Sequence, residues 1–141
     1  LAHHYICEGV RLVPMMDAQK GNVYVQEFTW RADGDALTLH EESSLAILPL
    51  AEVIARLSKT EQPVLLLGDA MQRKVDVELP VNVRLAPIHA RMPRAACVGL
   101  AALTRLARGA TDDPVTAAPL YLRRSEAEVL WEKRHGTEAA Q

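Results

Sequence analysis

The sequence has little of what several classes of protein require. No apolar run exceeds four residues, whereas a membrane-spanning helix needs roughly 20. Cys7 and Cys97 are the only cysteines, too few for a disulfide scaffold and without a CxxC pair, so a reducing, cytoplasmic compartment is expected. Six aromatic residues and a net charge of -2 provide neither base-stacking platforms nor a basic surface, so direct binding of nucleic acid is not expected.

What the sequence does contain is enough apolar material for a folded domain. The 141 residues are 49% hydrophobic, which excludes global disorder and fits one domain. The chain opens on Leu1 rather than Met, and residues 1–9 have the pattern of the end of a helix that Gly9 stops. We therefore expect a fragment of something longer.

Three early segments have the composition of β-strands: 11–18, 23–30 and 36–42. Two short turns join them, which predicts an antiparallel meander. In the second segment Tyr24, Phe28 and Trp30 share parity and should line one face. Pro14 in the first segment should stand at a sheet edge or at the start of the strand, because it has no N–H to donate.

After the meander the apolar period changes, and helices alternate with strands. The predicted elements are a helix at 49–58, a buried strand at 64–67, a weak helix at 70–79, a strand at 81–86 and a helix at 94–108. An extended segment, a short helix near 126–134 and a tail follow. The order predicts an α/β fold: three antiparallel strands, then alternating αβαβα, around a mixed five-stranded sheet.

The clearest candidate for binding chemistry is the pair Gly68–Asp69 after the buried strand. A glycine there lets the backbone approach a phosphate, and a following helix N-terminus would favour the anion. A tight strand-to-helix turn in which Asp69 caps the helix explains the same pair more simply, and we favour it. Asp17 could bind a metal or act as a base, but an Asx turn is the simpler role.

Other candidates are weaker still. His3, His4 and Cys7 could place two ligands on one helix face, but zinc needs three or four, so no metal is predicted. Cys97, among alanines and valine, should be buried and inert. Four arginines on and before the last strong helix are typical of a solvated helix face: Arg91, Arg94, Arg105 and Arg108. No GxSxG or comparable catalytic set occurs, so no catalytic residue is assigned.

Several short motifs together resemble one family. The segment 14–24, PMMDAQKGNVY, is similar to the "DAR-x-G-x-VY" hairpin of the bacterial TsaB (YeaZ) family, and 118–123, APLYLR, is similar to its "P-x-YLR" ending. Between them, 67–70 resembles the family's "LGDGA" turn, and the helix at 94–109 its alanine-rich helix. Leu1–Ala2 resembles the end of the "SLEALA" helix that joins the two lobes.

The resemblance implies an actin-like (ASKHA, RNase H-like) fold, and within it the second lobe. Residues 1–118 would be that lobe, with 1–9 as the end of the inter-lobe helix and 119–141 as a C-terminal appendage. It further implies a non-catalytic scaffold that supports a TsaD-type catalytic subunit, with a TsaE-type ATPase, in making threonylcarbamoyladenosine in tRNA. The resemblance also implies a homodimer of the full-length protein, and older names for the family are glycoprotease-like.

The sequence departs from the family at its turns. Gln19 stands where the family has Arg, and Ala70–Met71 replaces the second Gly-Ala of the turn. With the first lobe missing, half a cleft should bind ATP poorly, so no cofactor is expected. Two alternatives remain open. One is an ATPase or metallopeptidase that uses Gly68, Asp69, Asp17 or the pair at 3–4. The other is a generic interaction domain that self-associates.

Overall fold

A computed structural model describes residues 1–71, 77–122, 130–131 and 134–135, and its central feature is a mixed β-sheet. The strands are β1 Arg11–Asp17, β2 Asn22–Val25, β3 Phe28–Asp33, β4 Ala36–Glu41, β5 Ala46–Pro49, β6 Val64–Leu67 and β7 Val83–Leu85. The helices are α1 Leu50–Leu57 and α2 Ala95–Ala107, with short 3-10 turns at Ala2–His4 and Ile88–Ala90. Residues 130–131 and 134–135 are also helical.

The predicted strand 23–30 is divided into β2 and β3. Both pair antiparallel with β1 in one continuous register, since Met16 faces Tyr24 and Leu12 faces Phe28. The ladder is interrupted where Pro14 lies, because proline has no N–H to donate. The prediction that Pro14 occupies an edge or a strand start is therefore wrong: it lies inside the central strand, and the interruption is the structural consequence.

The third strand of the meander is also divided. β4 pairs with β3, and β5 pairs with β2, both antiparallel. Between them the chain bulges at residues 42–45, where the Glu42 N–H donates to the Glu27 carbonyl at 2.8 Å. The sequence predicted β4 and missed β5, whose four residues precede α1 directly.

On the other side of β1 the sheet is parallel. β6 pairs with β1 and β7 pairs with β6, both in the parallel sense. When β2 and β3 are counted as one interrupted strand, and β4 and β5 as another, the described sheet has the predicted five strands. The antiparallel strands lie on one side of β1, and the parallel strands β6 and β7 lie on the other. The α/β class and the mixed sheet are thus confirmed.

Both faces of the sheet are covered, but unequally. The larger core lies under α1, whose apolar residues at i, i+3, i+4 and i+7 are all buried: Leu50, Val53, Ile54 and Leu57. The smaller core, on the opposite face, contains Ala2, Leu12, Trp30, Leu67 and Ala86. Because side chains alternate along a strand, Leu12 and its neighbour Val13 belong to different cores.

Other predicted elements have mixed outcomes. Helix 94–108 is confirmed as α2, whereas Cys97 is half-buried rather than buried. Of the predicted helix at 70–79, residues 72–76 lie outside the described residues, and 77–80 are not helical. The start of the chain forms a 3-10 turn that Tyr5 leaves in an extended conformation, so no helix reaches Gly9. Most of the helix predicted near 126–134 lies outside the described residues.

The chain divides into two units, Leu1–Thr111 and Asp112–Gln141. All the buried hydrophobic side chains among the described residues lie between Ala2 and Ala86, within the first unit. The domain boundary predicted after residue 118 stays a prediction. Within the described parts of the chain, no helix has the length and apolar character needed to cross a membrane.

Candidate functional site

The Gly68–Asp69 turn lies at the carboxyl end of β6, beside the end of β1. Because these strands are parallel neighbours, their carboxyl ends meet at the same edge of the sheet. The backbone N–H of Asp17 donates to the Asp69 carboxylate at 3.3 Å, and the N–H of Ala70 donates to the Met15 carbonyl at 3.4 Å. The structure thus brings the Gly68–Asp69 turn beside Asp17, although Asp17 and Asp69 are 52 residues apart in sequence.

Gly68 is required here by a close approach of the backbone. Its φ is +90°, and a Cβ at this position would lie 2.0 Å from the Met15 carbonyl oxygen. Packing of the turn against β1 therefore accounts for the glycine without a phosphate. Residues 72–76 of the helix predicted to follow this turn lie outside the described residues, so phosphate binding at Gly68 and Asp69 stays a prediction.

Asp17 has the turn-forming role that the Asx interpretation predicts. Its Oδ1 accepts the backbone N–H of Gln19 at 2.9 Å. Gln19 and Lys20 have φ values of 63° and 52°, a left-handed conformation that L-residues adopt infrequently. The carboxylate stabilises this uncommon turn by satisfying one of its N–H groups.

The candidate metal ligands do not assemble in the part of the chain that is described. No group of three or more His, Cys, Asp or Glu side chains there could hold a metal ion. The His3 ring instead packs edge-on against Trp30, with ring centroids 5.6 Å apart. Burial, and secondarily the terminal ammonium group, lower the pKa of His3 below its ordinary value.

A buried ion cluster lies at the junction between β2 and β3, and the sequence pattern did not predict it. Glu27 is only 4% exposed, and its two carboxylate oxygens accept from Arg11 at 2.7 Å and from Arg56 at 2.6 Å. Arg11 also donates to the Gln62 side chain at 3.1 Å. The cluster links β1, the strand interruption and α1. A charged residue inside an apparent strand was the only sequence signal.

A second charged cluster surrounds Glu42 on the bulge. Its carboxylate accepts from the Thr29 hydroxyl and from Arg31. The hydrogen bond from Thr29, followed by the bond and charge of Arg31, holds the pKa of Glu42 below its ordinary value. Both clusters bond the irregular strand to its neighbours, and neither is a group of three or more candidate metal ligands.

A groove lies between the sheet and α2, on the face opposite α1. Its volume is about 670 Å³, within the range of ligand sites. Tyr24, Phe28 and Trp30 all line it, which confirms that they share one face. Arg105 and Arg108 line the helix side of the groove, so two of the predicted arginines belong to a cavity and not only to a solvated face.

The outward side of α2 is apolar and exposed. We call it the leucine face, and it consists of Val98, Leu100, Leu103 and Leu106, which are 59–63% exposed. The polar residues of α2 lie on the side that lines the groove. This is the reverse of an ordinary surface helix, whose apolar side faces the core, and large exposed apolar patches are typical of interaction surfaces.

Comparison with known proteins gives a structural match alone. No family model and no curated protein matches the chain. Among solved structures, it is similar to an uncharacterized protein with similarity to peptidase YeaZ from Pseudomonas aeruginosa, with a TM-score of 0.59 and 23% identity. The match covers 80% of this chain and 49% of that one, so the chain spans about half the length of its structural neighbour. The fold is consistent with an actin-like, YeaZ-like lobe.

Proposed function

We propose that the chain is the second lobe of a TsaB-like protein. In this role it would act, without chemistry of its own, as a scaffold for a TsaD-type subunit that modifies tRNA with threonylcarbamoyladenosine. The observation that carries the proposal is the YeaZ-like fold over 80% of the chain, matched to only half of the neighbour. The order of the short motifs at 14–24, 67–70 and 118–123 supports the same family.

The leucine face supports the scaffold role. Four large apolar side chains within three helical turns are about 60% exposed, and removing such surface from water is favourable by about 25 cal/mol per Å². We propose that a companion lobe of the TsaB-like protein packs on this face. The TsaD-type subunit, and a second copy in a homodimer, would then be bound mainly through the companion lobe. The complex, with its TsaE-type ATPase, would act in the cytoplasm.

Reconstitution tests the proposal. The chain is combined with the first lobe of a YeaZ-type protein, then with TsaD- and TsaE-type subunits, threonylcarbamoyl-adenylate and unmodified tRNA, and threonylcarbamoyladenosine is measured by mass spectrometry of nucleosides. We expect modification only when both lobes are present. The variant Leu103→Asp should stay folded by circular dichroism yet lose the first lobe and the modification.

The matched control is Val81→Asp, which places the same charge on an apolar residue that is 89% exposed outside α2. It should bind the first lobe and support modification like the parent. Equal modification by the Leu103→Asp and Val81→Asp variants would contradict the role of the leucine face. Failure of both lobes together to support modification would contradict the function itself.

The enzyme alternative makes a different prediction. An ATPase or metallopeptidase built on Asp17 and Asp69 would bind ATP or Zn²⁺ in calorimetry, and Asp69→Asn would weaken that binding. Cleavage of a glycoprotein or hydrolysis of ATP by the purified chain would also favour it. The self-association alternative predicts a dimer in sedimentation that Leu103→Asp dissociates.

A further inference from the structure

The groove between the sheet and α2 combines an aromatic floor with a polar wall. The strands β1, β2 and β3 contribute Met16, Tyr24, Phe28 and Trp30. On the helix side are Thr104 and Arg105 of α2 and Arg108, which directly follows α2. A flat apolar body would contact the floor, where ring faces give large contact areas. The volume of the groove, about 670 Å³, is sufficient for a small molecule.

One polar atom of the floor has no partner among the described residues. The indole Nε1–H of Trp30 is buried and makes no hydrogen bond there, although Trp30 itself is only 7% exposed. Buried donors are nearly always satisfied, because an unmade hydrogen bond costs about 1–3 kcal/mol. Because this N–H is enclosed and belongs to a ring that lines the groove, its resonance can report on a molecule that contacts Trp30.

The charges at the groove are arranged on opposite sides. On the sheet side, the Glu41 carboxylate already accepts the side-chain N–H of Gln26 at 3.0 Å. On the helix side, Arg108 makes no side-chain hydrogen bond or ion pair with any described residue, and Arg105 lies one turn before it. An anionic group would therefore be held on the α2 side, where a guanidinium can bind a carboxylate with two parallel hydrogen bonds.

From this charge complementarity we propose that the groove binds an amphipathic organic anion of the arylalkyl carboxylate class. The aromatic body rests on Tyr24, Phe28 and Trp30. The carboxylate accepts from Arg108. This site is separate from the leucine face and does not depend on the scaffold function proposed above.

Nuclear magnetic resonance of the full chain tests the site directly. The chain contains two tryptophans, so Trp131→Phe assigns the Trp30 indole N–H resonance. Titration with 4-phenylbutyrate should shift that resonance saturably, whereas the neutral analogue 4-phenylbutanol should bind at least tenfold more weakly, as expected for loss of a charge-assisted hydrogen bond.

Arg108→Gln should weaken phenylbutyrate binding about tenfold for the same reason. Lys59→Gln removes one positive charge from the exposed end of α1, outside the groove, and should leave binding unchanged. Ala101→Phe fills the groove from α2 without changing charge and should also abolish the shift. This variant keeps the test decisive if Arg108→Gln fails to fold.

Three results would overturn the proposal. The first is equal affinity for 4-phenylbutyrate and 4-phenylbutanol, and the second is unchanged binding of phenylbutyrate by Arg108→Gln. The third is no shift of the Trp30 indole resonance up to the solubility limit of phenylbutyrate. A dimer in sedimentation whose contact buries Trp30 and excludes the probe would assign the groove to a second copy instead. None of these results depends on tRNA modification, so this inference and the proposed function can fail separately.

Discussion

At the residue scale, the turn after β6 is determined by how closely it approaches β1. The backbone of Gly68 has a φ of +90° and leaves no room for a side chain above the Met15 carbonyl. Asp69 then reaches the N–H of Asp17. Gly68, Asp69 and Asp17, the candidates for phosphate binding or catalysis, therefore have a structural role: they join the ends of two parallel strands.

Replacing this glycine should reveal both the contact and the backbone strain. For Gly68→Ala we expect a loss of about 3 kcal/mol in the free energy of unfolding, since a strained φ contributes about 1–3 kcal/mol and the Cβ meets backbone atoms that cannot move aside. Gly34→Ala is the matched control, because Gly34 has a φ of +60° with nothing near its Cβ position, and it should lose about 1 kcal/mol.

Urea denaturation of the three proteins measures the difference. Equal losses in the free energy of unfolding for the two variants would show that the close contact with Met15 does not affect stability. A Gly68→Ala variant as stable as the parent would contradict the packing argument entirely.

The buried Glu27 explains a second residue-scale feature, the divided strand. Its carboxylate accepts from Arg11 and Arg56, and its backbone N–H donates to the Ser43 hydroxyl at 3.0 Å instead of to a neighbouring strand. A buried charge without such partners would be strongly destabilising. The side chains therefore supply, at the interruption, the bonds that the regular ladder lacks.

At the scale of elements, α1 and α2 are both amphipathic in sequence but differ in what they cover. Every apolar residue at the core spacing of α1 is buried, whereas α2 has no buried residue. The presence of a helix therefore does not show that its side chains contribute to the hydrophobic core. α1 completes the main core, and α2 forms the wall of the groove and presents the leucine face.

Two matched substitutions separate these roles. Leu57→Ala, at a residue 1% exposed, should destabilise the chain by about 2–5 kcal/mol. Leu103→Ala, at a residue 61% exposed, should change stability by less than about 0.5 kcal/mol. Urea unfolding of both variants is the measurement. Comparable losses would mean that α2 is part of the core after all.

At the scale of the whole molecule, stability is concentrated in the first unit. All the buried hydrophobic side chains among the described residues precede residue 87, and Asp112–Gln141 forms a separate unit. The sheet and α1 should therefore fold without the second unit.

Truncation tests this division. A chain that ends at Thr111 should unfold with the same free energy as the parent, within about 0.5 kcal/mol, because no core side chain is removed. A chain that ends at Pro80 loses β7 with the buried Val83 and Ala86, and it should not fold cooperatively. Circular dichroism melts compare them. A large loss from the first truncation would show that the core depends on the second unit.

Local patterns in the sequence determined most elements of this protein. The 3.6-residue spacing of Leu50, Val53, Ile54 and Leu57 predicted α1 and its buried side, and the parity of Tyr24, Phe28 and Trp30 predicted their common face. The apolar run 64–67 predicted a strand covered on both sides. Such periodicities follow from backbone geometry alone and are readable without knowing any partner.

Only the tertiary structure decided what depends on residues far apart in the chain. The interruption at Pro14, the Glu27 cluster and the place of Gly68 against Met15 each require two or more segments to meet. The same holds for the groove and for the exposed leucine face, since the helix pattern of α2 is the same whether its apolar side is covered or open. Burial depends on contacts between segments that are distant in sequence, so the pattern of one segment cannot determine it.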